Sequence, residues 1–407
     1  LWCVLQKGDA SHNKDEIRLP AGWAWESSWE VDQNRAVDEE GGRVVVVCDG
    51  HTVKGLRADV VGAGVQGERH LLVPFGGAVV NGQDVHRAGG LPGAVLDDTL
   101  EHSFRLGVEF VPTLIRIAGG REVARTHGWH RGDWQQISGL PALGAALPAL
   151  RPGCGSKTLE PGIAEALQVR FGRTGLASRE VALGEAEDPV EACFDRGWTD
   201  GLPVVPPTRE RVLRMLAGTT RRPDELLGLA PPDLAPCTVE KVAVNAVMAG
   251  CKPEYLPIVL AAVEAALIDE FGMHGILCTT MFAGPLVIVN GPLGRAVGVN
   301  SGVNALGQGH RANASIGRAL QLVIRNVGGG RPGEVDRATL GTPGKYSFCF
   351  AEAEHPEWEP LHVQRGFARD ASVVTLFAGE GVQGIVDQKS RTPESLARSF
   401  AASLRAV

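Results

Sequence analysis

The chain has 407 residues, 44% apolar, 21% charged and 5% aromatic, which is a globular composition with material for two or three domains and excludes a disordered or collagen-like chain. Its 40 basic and 47 acidic residues give a net charge of −7 without long runs of one sign, so the basic stripe of a duplex-binding protein is missing and nucleic acid is not an expected partner. The longest apolar stretch, Tyr255 to Ile268, is too short to span a bilayer and contains Glu264, so no membrane partner is expected.

The chain opens Leu1-Trp2-Cys3-Val4, without the basic start and cleavage pattern of a secretory signal, and is compatible with a fragment. Cysteines at 3, 48, 154, 193, 237, 251, 278 and 349 form no CxxC pair and are too sparse for a disulfide scaffold, so a reducing, cytoplasmic setting is expected. Residues 1–40 read as a polar cap rich in Trp, with Trp23, Trp25 and Trp29 close together. Residues 41–96 hold 13 Gly in 56 positions and, after the strand-like Arg43 to Cys48, lack steady helical or strand periodicity. That texture fits an atypical half-domain or an out-of-frame stretch of a GC-rich gene, and predicts the least ordered part of the chain.

From Asp97 the pattern is regular. Thr99 to Leu106 reads as a helix, Thr113 to Ile117 as a strand, Gly119-Gly120 as a hairpin turn, Glu122 to Thr126 as the return strand and Asp133 to Leu140 as a closing helix. The step Val108-Glu109-Phe110-Val111-Pro112-Thr113-Leu114 resembles the second half of a thioredoxin domain. The resemblance implies a thioredoxin-like domain over 41–150 and a cis bond before Pro112. A working thioredoxin site needs two thiols, one to attack and one to resolve the mixed disulfide. Only Cys48, followed by Asp49, Gly50 and His51, stands near that place. The domain is therefore expected to be degenerate, with docking of a protein partner as a use that needs the fold and no chemistry.

A linker with short helices, 151–188, leads to an α/β domain over 189–407 that is expected to be catalytic, giving the whole chain an α/β fold class. Trp198 to Thr208 is an extended, proline-stiffened segment in which Thr208 caps the helix Arg209 to Leu216, and Asp200 is either part of a strap or a pocket-lining, substrate-binding residue. The run Asp200-Gly-Leu-Pro-Val-Val-Pro-Pro-Thr208 resembles a bacterial family with the same signature, associated with selenoprotein-related, thiol-type redox genes. Thr238 to Ala249 reads as a capped helix with an apolar stripe, and Glu254 to Ile268 as a second helix. Cys251 sits in the turn between them, where Lys252 or Lys241 could activate it as a nucleophile; the alternative is a small buried residue.

Gly275 to Thr280 and Pro285 to Asn290 read as core strands, and the Gly- and Asn-rich loop 291–313 precedes a helix over Ala314 to Asn326. A strand, a glycine-rich loop and a helix N-terminus can present amides to an anion, with Asn290, His310, Arg311 and Asn313 as substrate-binding candidates. Gly307-x-Gly309 is not the dinucleotide fingerprint, so a small carboxylate or phosphate is expected in preference to NAD. Gly341 to Lys345 is a turn before a strand over Tyr346 to Ala351, after which Glu352, Glu354, His355, Glu357 and His362 crowd together. Their spacing matches no metal motif, nor does the His274 and Cys278 pair in a strand, so no metal is expected and no cofactor is indicated.

These residues favour a thiol-dependent redox or carbon-sulfur enzyme acting on a small anionic molecule through Cys251. The alternatives are a metal-independent lyase or hydratase with Lys345 and Glu352 as acid and base, and a non-catalytic docking or scaffold protein. Convergence of Cys251, His310, Arg311, Lys345 and Glu352 on one cavity is the geometry that would decide.

Overall fold

The computed structural model describes residues 3–7, 43–47, 70–74 and 94–97 by their backbone, and 99–406 apart from 119, 120, 140, 146 and 147. The chain divides into two compact units, Asp9–Thr174 and Leu1–Gly8 with Gly175–Val407, so the stretch expected as a linker, 151–188, is shared between them, 151–174 in the smaller unit and 175–188 in the larger. The cap 8–40, the turn at Gly119-Gly120, Cys48 and most of 41–96, with the expectation of low order there, lie outside the described residues.

Strand β1 (Cys3–Lys7) belongs to the larger unit. In the smaller unit, β2 (Arg43–Val47), β3 (His70–Pro74) and β4 (Ala94–Asp97) run parallel. Helix α1 (Glu101–Arg105) and the short β5 (Phe110–Val111) come next. Strand β6 (Thr113–Ala118) pairs antiparallel with β2 on one side and with β7 (Arg121–His127) on the other, giving the order β4-β3-β2-β6-β7. The Val-rich β2 is the centre of this sheet. Periodicity does not reveal β3 and β4, because each is only four or five residues long and lies in glycine-rich sequence. The Val111–Pro112 bond is cis. Helix α2 (Arg131–Ser138) buries Trp134, whose indole donates to Gly128 O at 2.8 Å. Strand β8 (Cys154–Gly155) pairs with β5, and α3 (Ile163–Phe171) closes the unit.

In the larger unit, β9 (Arg179–Leu183) runs parallel to β1. Helix α4 (Pro189–Asp195) is capped by Asp188, and α5 (Arg209–Leu216) by Thr208. A hairpin, β10 (Leu226–Ala230) with β11 (Ala235–Thr238), delivers Thr238 as the cap of α6 (Val239–Met248). Nine of the ten residues of α6 are buried, and α7 (Leu256–Leu267) is apolar on most faces, so both are core helices.

Helix α8 (Met273–Cys278) stands where a strand was expected. Met273 and Leu277, four apart, turn inward while His274 and Cys278 are exposed. Strand β12 (Gly284–Asn290) is buried along most of its length, as a central strand should be, and α9 (Pro292–Ala296) follows it. Helix α10 (Arg311–Asn326) starts three residues before the expected Ala314, with His310 at the N-cap. Strand β13 covers only Cys349–Ala351, because Pro343–Lys345 winds into a 3-10 turn. After α11 (Leu361–Gln364), strand β14 (Val373–Gly379) and α12 (Pro393–Ala406) complete the chain. The sheet order is β13-β12-β14, with β12 parallel to β13 and antiparallel to β14. Helix α10 packs on α6, α7 and β13. Gly317 allows a close approach of α10 to the segment entering β13: a Cβ there would lie 2.6 Å from Ser347 Oγ and 2.7 Å from Phe348 N.

Candidate active site

The parallel pair β12 and β13 ends at Asn290 and Ala351, and polar groups gather just beyond the strand ends, where open α/β sheets leave room for ligands. The Asn290 side chain is buried. Its Nδ2 donates to Glu352 Oε2 at 2.7 Å and to Glu354 Oε1 at 3.2 Å, and its Oδ1 is shielded from solvent with no hydrogen-bond partner. The two carboxylates have different surroundings. Glu354 also accepts from Gly291 N at 2.6 Å and from Arg295 Nη1 at 2.8 Å. Burial acts to raise its pKa, but these hydrogen bonds and the Arg295 charge outweigh burial and hold the carboxyl below its usual range. Glu352 is clamped at Oε2 alone, by Asn290 and by Leu361 N at 2.9 Å. Its Oε1 accepts no hydrogen bond among the described residues. One oxygen fixed and one open is a suitable arrangement for a group that takes a proton.

The first turn of α10 is tied to the same end of the sheet. Asn313 Oδ1 accepts from Asn300 N at 2.8 Å, and its Nδ2 donates to Asn300 O and Ala305 O at 2.9 and 3.0 Å. Asn300 O in turn accepts from Ala351 N, next to Glu352. Asn313 therefore fixes the loop, and both its donor hydrogens are committed there, which corrects its expected role in substrate binding. Arg311 Nε donates to Gly250 O at 2.9 Å in an exposed setting, and His310 at the N-cap makes no side-chain cap hydrogen bond.

Cys251 departs most from expectation. It is buried, its Sγ donates to Ser315 O at 3.3 Å, and burial pushes the thiol up to about 12 against the weaker pull of that hydrogen bond and of Arg311 and Arg318. The lysines expected to activate it are engaged elsewhere: Lys241 Nζ donates to Pro236 O and Lys252 faces Glu254. Cys349 is an electrostatic neighbour of Cys251, and burial raises its thiol too. A buried, protonated thiol is a packing residue and not a ready nucleophile.

Asp200 and Lys345 are held in ion pairs. Both Asp200 carboxylate oxygens accept from Arg318 at 2.8 Å, and Arg318 also reaches Leu202 O and Pro203 O, so this segment is a strap bound to α10. Lys345 Nζ donates to Asp336 at 2.7 Å, and the Lys345 stem lies against Gly284 at the start of β12. Glu352 bonds Asn290 at the other end of β12, a seven-residue strand about 20 Å long. Lys345 and Glu352 therefore cannot share a proton-transfer step, which corrects that pairing.

Of the expected residues, Asn290 and Glu352 meet directly, and Asn313 and Arg311 lie on the helix turn bonded to the same strand end. Cys251 is withdrawn into the core and Lys345 and Asp200 sit elsewhere. His362 is fully buried, with Nε2 3.3 Å from Arg369 O, and acts in packing. Arg295 was missed, although its place five residues after Asn290, in a turn following the strand, was the available signal. Among the described residues, no group of three or more His, Cys, Asp or Glu side chains is arranged to hold a metal ion. Comparison of the chain with protein-family models, curated proteins and solved structures finds no match.

Proposed function

We propose that the larger unit is a proton-transfer enzyme of the lyase or hydratase class acting on a small anionic molecule, with Glu352 as the general base. The observation that carries this reading is the asymmetric clamp on Glu352, in which Asn290 and Leu361 N fix one oxygen and leave the other open. Glu354, held ionised by Arg295, Gly291 and Asn290, positions the shared amide. Asn290 Oδ1, buried and unpartnered, is an acceptor for a substrate hydroxyl or N–H. Arg295 gives one nitrogen to Glu354 and is otherwise exposed, so it can meet the negative charge of a substrate. The thiol reading loses ground to this one because the Cys251 sulfur is protonated and enclosed.

The smaller unit is in this reading a thioredoxin-like domain without a dithiol, suited to docking a protein partner. Its support is the order β4-β3-β2-β6-β7, with a parallel centre and an antiparallel hairpin at one edge.

The test uses the full chain in D2O with a panel of small 2- and 3-hydroxy acids, read by proton NMR for deuterium incorporation or dehydration. Turnover is expected in the unmodified protein and in Cys251→Ala, and a loss of at least about 100-fold in Glu352→Gln. Turnover retained by Glu352→Gln, or lost in a folded Cys251→Ala, refutes the assignment.

A further inference from the structure

We propose that the last two turns of α10 carry a second site, which binds an oxyanion, with Arg325, Gln321 and Arg331 as its donors. The proposal is independent of the role given to Glu352. Arg318, Gln321 and Arg325 follow at three and four residues along α10 and share one helix face. Arg318 is fully engaged with Asp200 and the strap carbonyls. The other two are not. Arg325 Nε is shielded from solvent without a partner, and the Arg325 side chain makes no hydrogen bond or ion pair among the described residues. Gln321 Nε2 is likewise shielded and unpartnered, and lies 3.4 Å from where a Cβ on Gly284 would stand, beside the Lys345 stem.

Charge points the same way. Arg325 has Arg331, Asp200 and Glu334 as electrostatic neighbours, and burial is the largest influence lowering its pKa. Asp200 is matched by Arg318 and Asp336 by Lys345. What remains is Arg325 and Arg331 against Glu334, an excess of one positive charge. Buried N–H groups in folded proteins are paired with few exceptions, because an unpaired one forfeits its hydration without replacement. Two such donors one turn apart, beside an uncompensated cation, match a ligand with at least two acceptor oxygens and a negative charge. That is a carboxylate or a phosphate group, for which the guanidinium fork is the natural partner. The site faces the start of β12 and the 331–336 turn, whereas Glu352 stands beyond the end of β12.

The experiment is calorimetric titration of the full chain with inorganic phosphate and, separately, with acetate, for the unmodified protein, Arg325→Met and Gln321→Leu. Saturable binding of at least one anion at one site per chain is expected, weakened tenfold or more by Arg325→Met and about threefold or more by Gln321→Leu. Saturation by phosphate alone assigns a phosphate ester as the ligand, by acetate alone a carboxylate, and by both a general oxyanion site. If Arg325→Met fails to fold, Gln321→Leu decides, since it removes a neutral donor that holds no partner. Absence of saturation by either anion up to about 20 mM, or unchanged binding in Gln321→Leu, overturns the proposal.

Discussion

Replacing Asp200 by Asn keeps the shape of the side chain and removes the charge that Arg318 clasps. The pair is bidentate, with both contacts at 2.8 Å and side-chain exposures of 11% for Asp200 and 15% for Arg318, so solvent screens it little. Removing one partner of a buried pair costs about 3–5 kcal/mol, and because Asn retains one acceptor and Arg318 keeps Leu202 O and Pro203 O, about 2–3 kcal/mol is expected here. For a unit of this size that corresponds to a fall of roughly 5–10 °C in Tm. The measurement is scanning calorimetry of the full chain with Asp200→Asn, Arg318→Met and the double variant. The double variant should be less destabilised than the sum of the singles by more than about 1 kcal/mol, since either single change removes the same contact. A shift within about 0.5 kcal/mol for Asp200→Asn would refute the reasoning and return Asp200 to the role of a pocket residue.

The thiols separate by burial: in the native chain, iodoacetamide followed by peptide mapping should label Cys154 and Cys278, which are exposed, and leave Cys193, Cys237, Cys251 and Cys349 untouched, and labelling of Cys251 at the rate of Cys278 would contradict the packing described. Burial raises Cys193 to about 11 and Cys237 and Cys251 to about 12 from 9.0. Because the folded values lie above the unfolded one, stability should be complete below about pH 9 and fall as pH rises towards 11–12, and urea midpoints across that range, flatter in a variant with all three changed to Ala, check the sign. Gly317→Ala should destabilise the larger unit by about 2 kcal/mol or more, since its Cβ would meet Ser347 Oγ at 2.6 Å and the Phe348 backbone at 2.7 Å; a urea midpoint equal to that of the unmodified protein would show that the helix and strand can part without cost.

The elements from Asp97 onward were largely legible because their signals are local. Thr208 and Thr238 stand as caps at the expected helix starts, each accepting a backbone N–H three residues on, and the two strands expected around residues 113–117 and 122–126 pair antiparallel. Short elements without a full period are not legible: β3 and β4 are too brief to show alternation, and α8 reads as a strand in sequence because a six-residue apolar run carries either pattern. Chemistry followed the same division. Asn290 and Glu352 were picked out as residue types, but that they meet 62 positions apart, while Glu352 and Lys345, only seven apart in sequence, are separated along β12, is decided by the parallel pairing of β12 and β13. The sequence shows Cys251 in a turn between two helices. Whether that turn faces solvent or the underside of α10 depends on packing between segments far apart in the chain, and here the sulfur lies buried against Ser315 O, with burial, not that hydrogen bond, raising the proton affinity of the thiol. Caps, turns and periodicity depend on neighbours in the chain, so sequence alone determines them; burial, charge pairing and proton affinity depend on neighbours in space, which only the tertiary structure supplies.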